Sequence, residues 1–298
     1  EVLCSGQWEC STTTTRLLNS QGLDVSFTET SVEAFLSGEL VRGDDFLQVY
    51  VARSGNKFFE FSDLVDRLGQ YIQWAERNVP APQGNVPVIL TPKVAELLWS
   101  VVSLAMNAKQ VEQKSTPWLE KRGSQVVASA ITWQQLPQFD HFYLPFDDEG
   151  TPTQTFTWIE QGVLQDFYTD RKLAAQLNLT PRGNGYRSLA TSPTPSLFNV
   201  IVAAGDKSLQ ELVRTIDCGL LVDQVLGGGA GISGDFSVNV DLGYRIEGGE
   251  IVGRVKDTMI AGNVYNALQN VVLGNDREWQ GNLYTPSVVV ELAVSTRS

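Results

Sequence analysis

Histidine is nearly absent from the sequence, which holds a single one, His141, among 298 residues. A zinc site built on two or three imidazoles is therefore excluded within one chain. A Ser-His-Asp triad would have to use His141, which lies in the aromatic stretch QFDHFYLPF. We interpret His141 as a structural or surface residue.

Cysteine is also scarce. The three cysteines, Cys4, Cys10 and Cys218, are an odd number, which does not suit a disulfide framework. Their scarcity indicates a reducing, cytoplasmic setting. The start of the chain has no signal-peptide pattern.

Long apolar runs are missing. The longest, Leu97 to Met106, is interrupted by two serines and is shorter than the roughly 20 residues that span a bilayer. Basic clusters are missing too: 22 Lys and Arg stand against 34 Asp and Glu, for a net charge of −12. We therefore expect neither a membrane nor a nucleic acid as a direct partner.

The composition that remains is that of a globular protein, with 42% apolar and 19% charged residues. Alternating apolar residues predict strands over LDVSFTET, FLQVYVAR and PSVVVELAVS, and we expect QVVASAITW and SLFNVIVAAG to be strands too. TFTWIEQGVLQDFYT predicts a hairpin that turns at Glu160-Gln161-Gly162.

Helices are predicted where the apolar period lengthens. FSDLVDRLGQYIQWAERNVP predicts a helix with Ser62 as its N-cap. A very apolar, buried helix is expected from about Lys93 to Val111, with Thr91 as cap and Pro92 at its first position. Further helices are predicted at Arg171 to Leu177, behind the Ser208 and Glu211 capping box, and at about Met259 to Val272.

The segment GAGISG, residues 229–234, matches the dinucleotide pattern G-x-G-x-x-G. That site needs a strand before the glycines and a helix N-terminus after them. We predict a helix before the glycines. After them, Phe236 to Ile246 alternates apolar and polar residues, which is typical of a half-buried strand. We therefore interpret the match as a tight turn and expect no nucleotide cofactor.

Several blocks together resemble the TldD/PmbA family. They are the run from GLLVDQVLGGGAGISGDFSVNVDLGYRIEGG to VVLGND, and upstream FDDEGTPTQ, IEQGVLQDFYTDRKLAAQLN and GNGYRS. Singly each block is weak, but their order and spacing fit the family from about Val88 to the end, and weakly over Thr13 to Thr30. The family was first named as modulators of DNA gyrase and is understood as zinc-peptidase assemblies.

The resemblance implies an α+β fold with a large, curved, mostly antiparallel, barrel-like sheet and packed helices. Residues 86–298 would form the family's C-terminal core domain, and residues 1–85 the remainder of an N-terminal α+β region. Family members carry a further N-terminal domain, so we expect that a chain beginning at Glu1 lacks most of it.

The resemblance also bears on catalysis. In TldD-like members a buried helix carries HExxxH, whose histidines bind zinc and whose glutamate is the general base, and a cysteine near the C-terminus completes the metal shell. By block spacing, SVVSLA (Ser100 to Ala105) occupies that position, and we assign Cys218 to an earlier helix. The chain thus resembles the PmbA (TldE-like) branch, for which we expect no metal, no cofactor and no catalytic residue.

A TldE-like chain implies a partner: a TldD-like homologue with HExxxH, or a second copy in a homodimer, acting on unfolded peptides. Long alternating strands such as Phe236 to Ile246 could offer edges or walls for an extended peptide. Two alternatives stay open. One is an autonomous hydrolase built on the acidic loop and His141, and the other is a regulator linked to DNA gyrase.

Family-motif positions supply the candidate surface for a partner or a peptide. The acidic triplet could instead bind a hard cation, act as a carboxylate pair or be a solvated turn, and the asparagines could cap helices or fix turns. The positions are Asp147, Asp148, Glu149, Gly183, Asn184, Gly227, Gly228, Gly229, Gly234, Asp235, Phe236, Gly262, Asn263, Gly274, Asn275 and Asp276.

Overall fold

The computed structural model describes residues 2–43, 45–140 and 142–296. His141 lies outside the described residues. The helices are α1 Ser62–Trp74, α2 Pro92–Ala105, α3 Ala108–Glu112, α4 Arg171–Leu177, α5 Leu209–Arg214 and α6 Val264–Ala267. The strands are β1 Val2–Leu18, β2 Asp24–Arg42, β3 Asp45–Gly55, β4 Gly84–Leu90, β5 Trp133–Gln135, β6 Gln138–Phe139, β7 Phe142–Tyr143, β8 Phe156–Glu160, β9 Val163–Leu164, β10 Gly185–Tyr186, β11 Thr194–Pro195, β12 Val200–Val202, β13 Cys218–Leu226, β14 Asp235–Glu247, β15 Glu250–Arg254, β16 Thr258–Asn263, β17 Val272–Leu273, β18 Glu278–Gln280, β19 Leu283–Thr285 and β20 Val288–Thr296.

Five strands close into a barrel-like sheet in the order β13-β4-β20-β16-β14, because β14 pairs back onto β13. The β13–β4 pair is parallel and the other four pairs are antiparallel. Alternation explains β14, since Phe236, Val238 and Val240 are buried while Ser237 is exposed. The predicted α+β fold with a curved, mostly antiparallel sheet is confirmed.

Helix α2 is a core helix, as predicted, with Pro92 at its first position. Thr91 occupies the N-cap position, but its hydroxyl makes no capping hydrogen bond. The prediction of one helix through Val111 is wrong, because α2 ends at Ala105. The Asn107 side chain then accepts a hydrogen bond from the Lys109 N–H and begins α3.

A second sheet of six strands, in the order β18-β19-β12-β5-β8-β9, packs beside the barrel. The β8–β9 hairpin turns at Gln161 and Gly162, both with positive φ, as predicted. QVVASAITW is a strand only from Trp133. The main-chain N–H groups of its earlier residues donate hydrogen bonds to the carbonyls of Gly162 and Leu268. Apolar side chains in this part of the segment are buried without the regular hydrogen-bond pattern of a strand.

The N-terminal residues form an antiparallel meander, β1-β2-β3, covered by α1. The prediction of Ser62 as N-cap is wrong: Phe61 holds that position without a side-chain cap, and Ser62 is the first helical residue. The meander and α1 pack on the outer side of the barrel, where the Tyr244 hydroxyl donates to the Tyr71 carbonyl of α1 at 2.9 Å.

Of two further helix predictions, one is right only for its first part and the other is wrong. The segment before the glycines is a helix only through Arg214, after the predicted capping box, and β13 then begins at the exposed Cys218. The segment from Met259 is the barrel strand β16 followed by the single turn α6. In both segments tertiary pairing with barrel strands overrides a local apolar pattern that also suits a helix.

Two apolar cores result. The larger lies between α2, the barrel and the six-stranded sheet, and the smaller lies between α1, the meander and the outer side of the barrel. No helix among the described residues is long and apolar enough to cross a membrane.

Candidate functional site

One face of α2 carries polar side chains on an otherwise apolar helix. Glu96, Ser100, Ser103 and, one turn on, Asn107 follow the spacing of a single helical stripe. They line a cleft of about 380 Å³ together with Tyr168. Trp99 also borders this cleft and anchors the helix there, since its buried indole N–H donates to the Thr285 hydroxyl at 2.7 Å.

The chemistry of this cleft is that of hydroxyls and one carboxyl group. The Ser100 hydroxyl donates to the Leu97 carbonyl of its own helix at 2.9 Å, and the Ser103 hydroxyl lies 3.4 Å from the Tyr168 hydroxyl. Burial raises the pKa of Tyr168 to about 12 and also raises the pKa of Glu96. The tyrosine is therefore a hydrogen-bond donor and not a base near neutral pH.

Zinc does not fit the helix positions where the resemblance implies it for the other branch. Ser100 offers a hydroxyl, and Val101 and Ala105 are fully buried in the core. Imidazole, thiolate and carboxylate are the zinc ligands of proteins. In the part of the chain that the structure describes, no three His, Cys, Asp or Glu side chains are grouped so that they could hold a metal.

The carboxylates of the acidic loop have a structural role, because they accept hydrogen bonds from main-chain N–H groups. Asp147 is buried and accepts hydrogen bonds from the main-chain N–H groups of Glu149, Thr151 and Gly185 at 2.8–3.0 Å. Burial raises its pKa, against these hydrogen bonds. Asp148 accepts from the Arg187 N–H at 2.9 Å.

Glu149 completes this arrangement. Its carboxylate accepts from the N–H of Arg171, the first residue of α4, at 2.8 Å, and burial raises its pKa. A Cβ at Gly185 would lie 2.3 Å from the Glu149 carboxylate, so glycine permits this approach. The triplet holds the loop of residues 183–187 and the start of α4 in place, and is not a solvated turn.

The loop that it holds contains Gly183 and Asn184. Asn184 is buried and donates to the Gln135 side-chain oxygen at 2.6 Å and to the Ser196 carbonyl at 3.0 Å. A Cβ at Gly183 would lie 2.5 Å from the Thr153 backbone. Because Asp147 and Asn184 are buried within the chain, they do not form part of its surface.

The glycine-rich loop packs on α6. The Asn263 side chain donates to the Ser233 carbonyl and to the Asp235 carboxylate, and also caps α6 as predicted. Gly234 has φ of 81°, and a Cβ there would lie 2.7 Å from the Tyr265 ring. Gly227, Gly228 and Gly229 are exposed in the loop, whereas Phe236 is buried in the barrel.

A strand, β13, precedes this loop, and not the predicted helix. The strand β14 follows it, as predicted. The helix N-terminus that a dinucleotide site needs is thus not supplied by the segment after the glycines.

The third group of motif residues fixes the approach to β18. Gly274 donates its N–H to the Ser287 carbonyl at 2.8 Å, and the Asn275 side chain donates to the Asp206 carbonyl. Asp276 accepts from the Ser287 N–H and hydroxyl at 3.0 and 2.6 Å. Gly262 and Asn263 line a separate cleft of about 300 Å³, so the predicted positions do not meet at one site.

A charged network near the start of α2 was not predicted. Lys93 donates to the fully buried Asp223 at 2.5 Å and to the Tyr50 carbonyl at 2.9 Å. Burial lowers the pKa of Lys93, partly offset by Asp223. Arg67 pairs with Glu278 through both carboxylate oxygens, and burial raises the pKa of Glu278 against this pairing.

The sequence does contain a signal for this network. Asp223 is the one charged residue in the apolar run GLLVDQVL, and Lys93 stands alone as a charge in the first turn of an apolar helix. A charge inside a buried element needs a partner. The Asp276 side chain borders the same cleft, of about 290 Å³, as Lys93 and Asp223.

Comparisons with known proteins agree with these features. A family model described as the PmbA/TldA metallopeptidase C-terminal domain matches residues 83–296. A protein named Metalloprotease from Methanothermobacter thermautotrophicus is 27% identical over 85% of this chain and 58% of its own length. Metalloprotease PmbA from Escherichia coli O157:H7 is 29% identical over 69% of this chain and 44% of its own length. The chain thus spans about half the length of these curated relatives.

Solved structures extend the similarity to nearly the whole chain. TldE from Thermococcus kodakarensis superposes with a TM-score of 0.89 at 26% identity, covering 97% of this chain and 68% of that one. A protein described as a putative modulator of a DNA gyrase, from Thermotoga maritima, gives a TM-score of 0.86 at 27% identity, with the same two coverages.

Proposed function

Because the chain belongs to the TldD/PmbA metallopeptidase family, we propose that it is a metal-free, TldE-like subunit of a peptidase assembly. In this proposal a homologous chain with HExxxH supplies the zinc and the general base. The present chain contributes binding surface and architecture, and the substrates are unfolded peptides.

The observation that carries the proposal is the makeup of α2. Its buried side holds Val101 and Ala105, and its cleft side offers hydroxyls and Glu96 instead of imidazoles. The Ser100 hydroxyl is engaged by its own helix. The described residues of α2 therefore do not supply the zinc ligands or the general base with which a zinc peptidase activates water. Its similarity to TldE from Thermococcus kodakarensis supports the same branch.

The prediction that Phe236 to Ile246 offers a strand edge to a peptide is wrong. Instead β14 pairs with β16 through Asp235–Val240, with β13 through Asn239–Glu247 and with β15 through Tyr244–Glu247. It is an interior strand of the barrel, so a peptide would have to use another edge.

An autonomous hydrolase built on the acidic loop is the weaker alternative. The carboxylates of Asp147 and Glu149 already accept hydrogen bonds from main-chain N–H groups. Neither is therefore placed to take a proton from water. The gyrase-linked alternative remains a prediction to test by DNA binding. With a net charge of −12, we expect no salt-dependent affinity for duplex DNA.

The proposed setting is the cytoplasm. Cys4, Cys10 and Cys218 are all free and exposed, which suits a reducing compartment.

The test mixes the purified chain with its HExxxH homologue and an unstructured peptide. We expect cleavage that requires both chains and that is lost when the homologue's histidines are replaced. Replacing His141 in the present chain should leave cleavage intact. Cleavage by this chain alone, or undiminished cleavage by the homologue alone, would overturn the proposal.

A further inference from the structure

The outer edge of β3 is partly capped by side chains. Arg254 donates to the Phe46 carbonyl at 3.1 Å, Gln224 donates to the Gln48 carbonyl at 3.4 Å, and Lys93 donates to the Tyr50 carbonyl at 2.9 Å. These carbonyls therefore point away from β2, the strand paired with β3. The donors come from the barrel strands β13 and β15 and from the start of α2.

The same edge continues beyond Tyr50 without such caps. In an antiparallel strand the N–H and carbonyl of one residue point to the same side, and alternate residues point alike. Ala52 and Ser54 therefore direct their main chains to the capped side of β3. Among the described residues, no hydrogen bond reaches those main chains from that side. Two adjoining clefts, of about 440 and 630 Å³, open there and share Ala52, Arg53 and Ser54.

The walls of these clefts suit an extended polypeptide. Trp8 and Phe35 are 62% and 40% exposed and line the first cleft, and Phe58 is 67% exposed and lines the second. Aromatic faces accept varied side chains without strict sequence demands. Unpaired strand edges bind extended peptides through main-chain hydrogen bonds.

The charges that line the second cleft favour an anionic group. Its lining has four cationic side chains, Arg53, Lys57, Arg67 and Arg277, against three acidic ones, Asp63, Asp140 and Glu278. A locally cationic cleft stands out in a chain with a net charge of −12. Arg67 pairs with Glu278 and Arg53 lies 3.6 Å from Asp63, so Lys57 and Arg277 are the cations of this cleft that have no ion pair among the described residues.

We propose that Ala52 to Ser54 on β3 accepts an extended peptide as an added strand, with a peptide carboxylate directed toward Lys57 and Arg277. The carboxylate belongs to an acidic side chain or to the peptide C-terminus. The inference rests on the proposed function only for the class of occupant, and the site needs neither zinc nor a partner subunit. Recognition through the main chain allows many sequences, while the cationic end selects for acidic ones.

The test measures binding to this chain alone by fluorescence anisotropy. The probe is a labelled heptapeptide of alternating threonine and valine that ends in two glutamates. Ser54→Pro removes the edge N–H and should weaken binding by about tenfold or more, equivalent to about 1.4 kcal/mol. Ser54→Ala keeps the N–H and should bind like the parent. A probe N-methylated at alternate amides should fail on the unaltered chain, which keeps the test valid if Ser54→Pro folds poorly.

The charge preference is tested on the same chain. Arg277→Ala should weaken the binding of the glutamate-ended probe several-fold. The binding of a probe that ends in two serines and an uncharged C-terminal amide should stay unchanged. A probe with serines before a free C-terminus, compared with its amide, separates the terminal carboxylate from acidic side chains. Equal binding of the N-methylated and parent probes would overturn the inference.

The two proposals fail separately. Probe binding without any partner-dependent cleavage would leave this site standing and remove the subunit role. Partner-dependent cleavage with no probe binding by this chain would do the reverse.

Discussion

At the scale of single residues, the Lys93–Asp223 pair is costly to disturb. Asp223 is fully buried, and one of its two oxygens has no hydrogen-bond partner among the described residues. Lys93 also lies 4.3 Å from the Tyr50 ring centroid. A buried pair of this kind gains little over apolar residues, but removing one partner leaves an uncompensated charge.

Asp223→Asn is therefore expected to lower the free energy of unfolding by about 3 kcal/mol, since Lys93 loses its counter-charge. The double variant Lys93→Met, Asp223→Leu should lose clearly less than the single variants Lys93→Met and Asp223→Leu combined. Denaturant unfolding of the parent, these two single variants and the double variant gives the coupling. Additive losses would show that the two residues act independently.

Asp45 predicts a pH dependence. Burial opposes its ionisation, but hydrogen bonds from Asn78 and Lys256 and the charge of Arg254 outweigh burial and lower its pKa to about 2. The folded chain thus holds this proton less tightly than the unfolded chain. Its stabilisation is present above the unfolded pKa of about 4 and is lost as the pH falls toward 2.

We expect Asp45→Asn to cost about 1 kcal/mol at pH 7, after discounting for solvent screening, and progressively less from pH 4 downward. Urea unfolding of both proteins between pH 7 and pH 3 measures the difference. A difference that stays constant across this range would assign the effect to lost packing and not to charge.

At the scale of secondary structure, α2 has two chemically different sides. Val101 is fully buried in the core and Ser100 is exposed in the cleft, although they are neighbours in sequence. Successive helical residues point about 100° apart. The same substitution therefore has a large effect on stability at one position and a small effect at the other.

Val101→Glu, which installs the family's catalytic residue type, should lower the free energy of unfolding by about 3 kcal/mol or more, because it buries an unpaired carboxyl group. Ser100→Glu on the cleft side is the matched control. It should cost only a few tenths of a kcal/mol, roughly the repulsion from Glu96 one turn earlier. Thermal or urea unfolding compares them, and similar losses would contradict the assigned sides.

At the scale of the whole molecule, strand pairing and apolar packing hold the described residues together. Closure of the barrel rests on strand pairing, and its interior is filled by apolar side chains from α2 and the strands. Nothing in this arrangement of described residues requires an ion to bring elements together.

We therefore expect a strong chelator to leave the melting temperature of this chain unchanged, and elemental analysis of tag-free protein to find well below one zinc per chain. The same chelator should abolish cleavage by the mixture with the HExxxH homologue. Stoichiometric zinc that is lost on mutating α2 would refute the metal-free assignment.

The sequence by itself determined the local features whose causes are local. The β8–β9 turn needs two residues that tolerate positive φ, and Gln161-Gly162 supply them. Ser208 and Glu211 satisfy each other's main chain at the start of α5. The apolar–polar alternation of β14 has the two-residue period of a strand, as the structure confirms. The family blocks, taken together, specified the α+β architecture, while the division at residues 85 and 86 stays a prediction.

Only the tertiary structure decided features that depend on distant partners. QVVASAITW and the segment from Met259 have apolar patterns that suit more than one element, and their neighbours in the sheets selected the outcome. The role of the acidic loop as a buried support depends on distant main-chain donors. Asp147 accepts a hydrogen bond from the N–H of Gly185, 38 residues away, and Glu149 accepts one from the N–H of Arg171, 22 residues away. Lys93 and Asp223 are 130 residues apart in sequence and pair for the same reason. A buried charge needs a partner that is close in space, and the spacing of residues in the sequence does not show which residue that is.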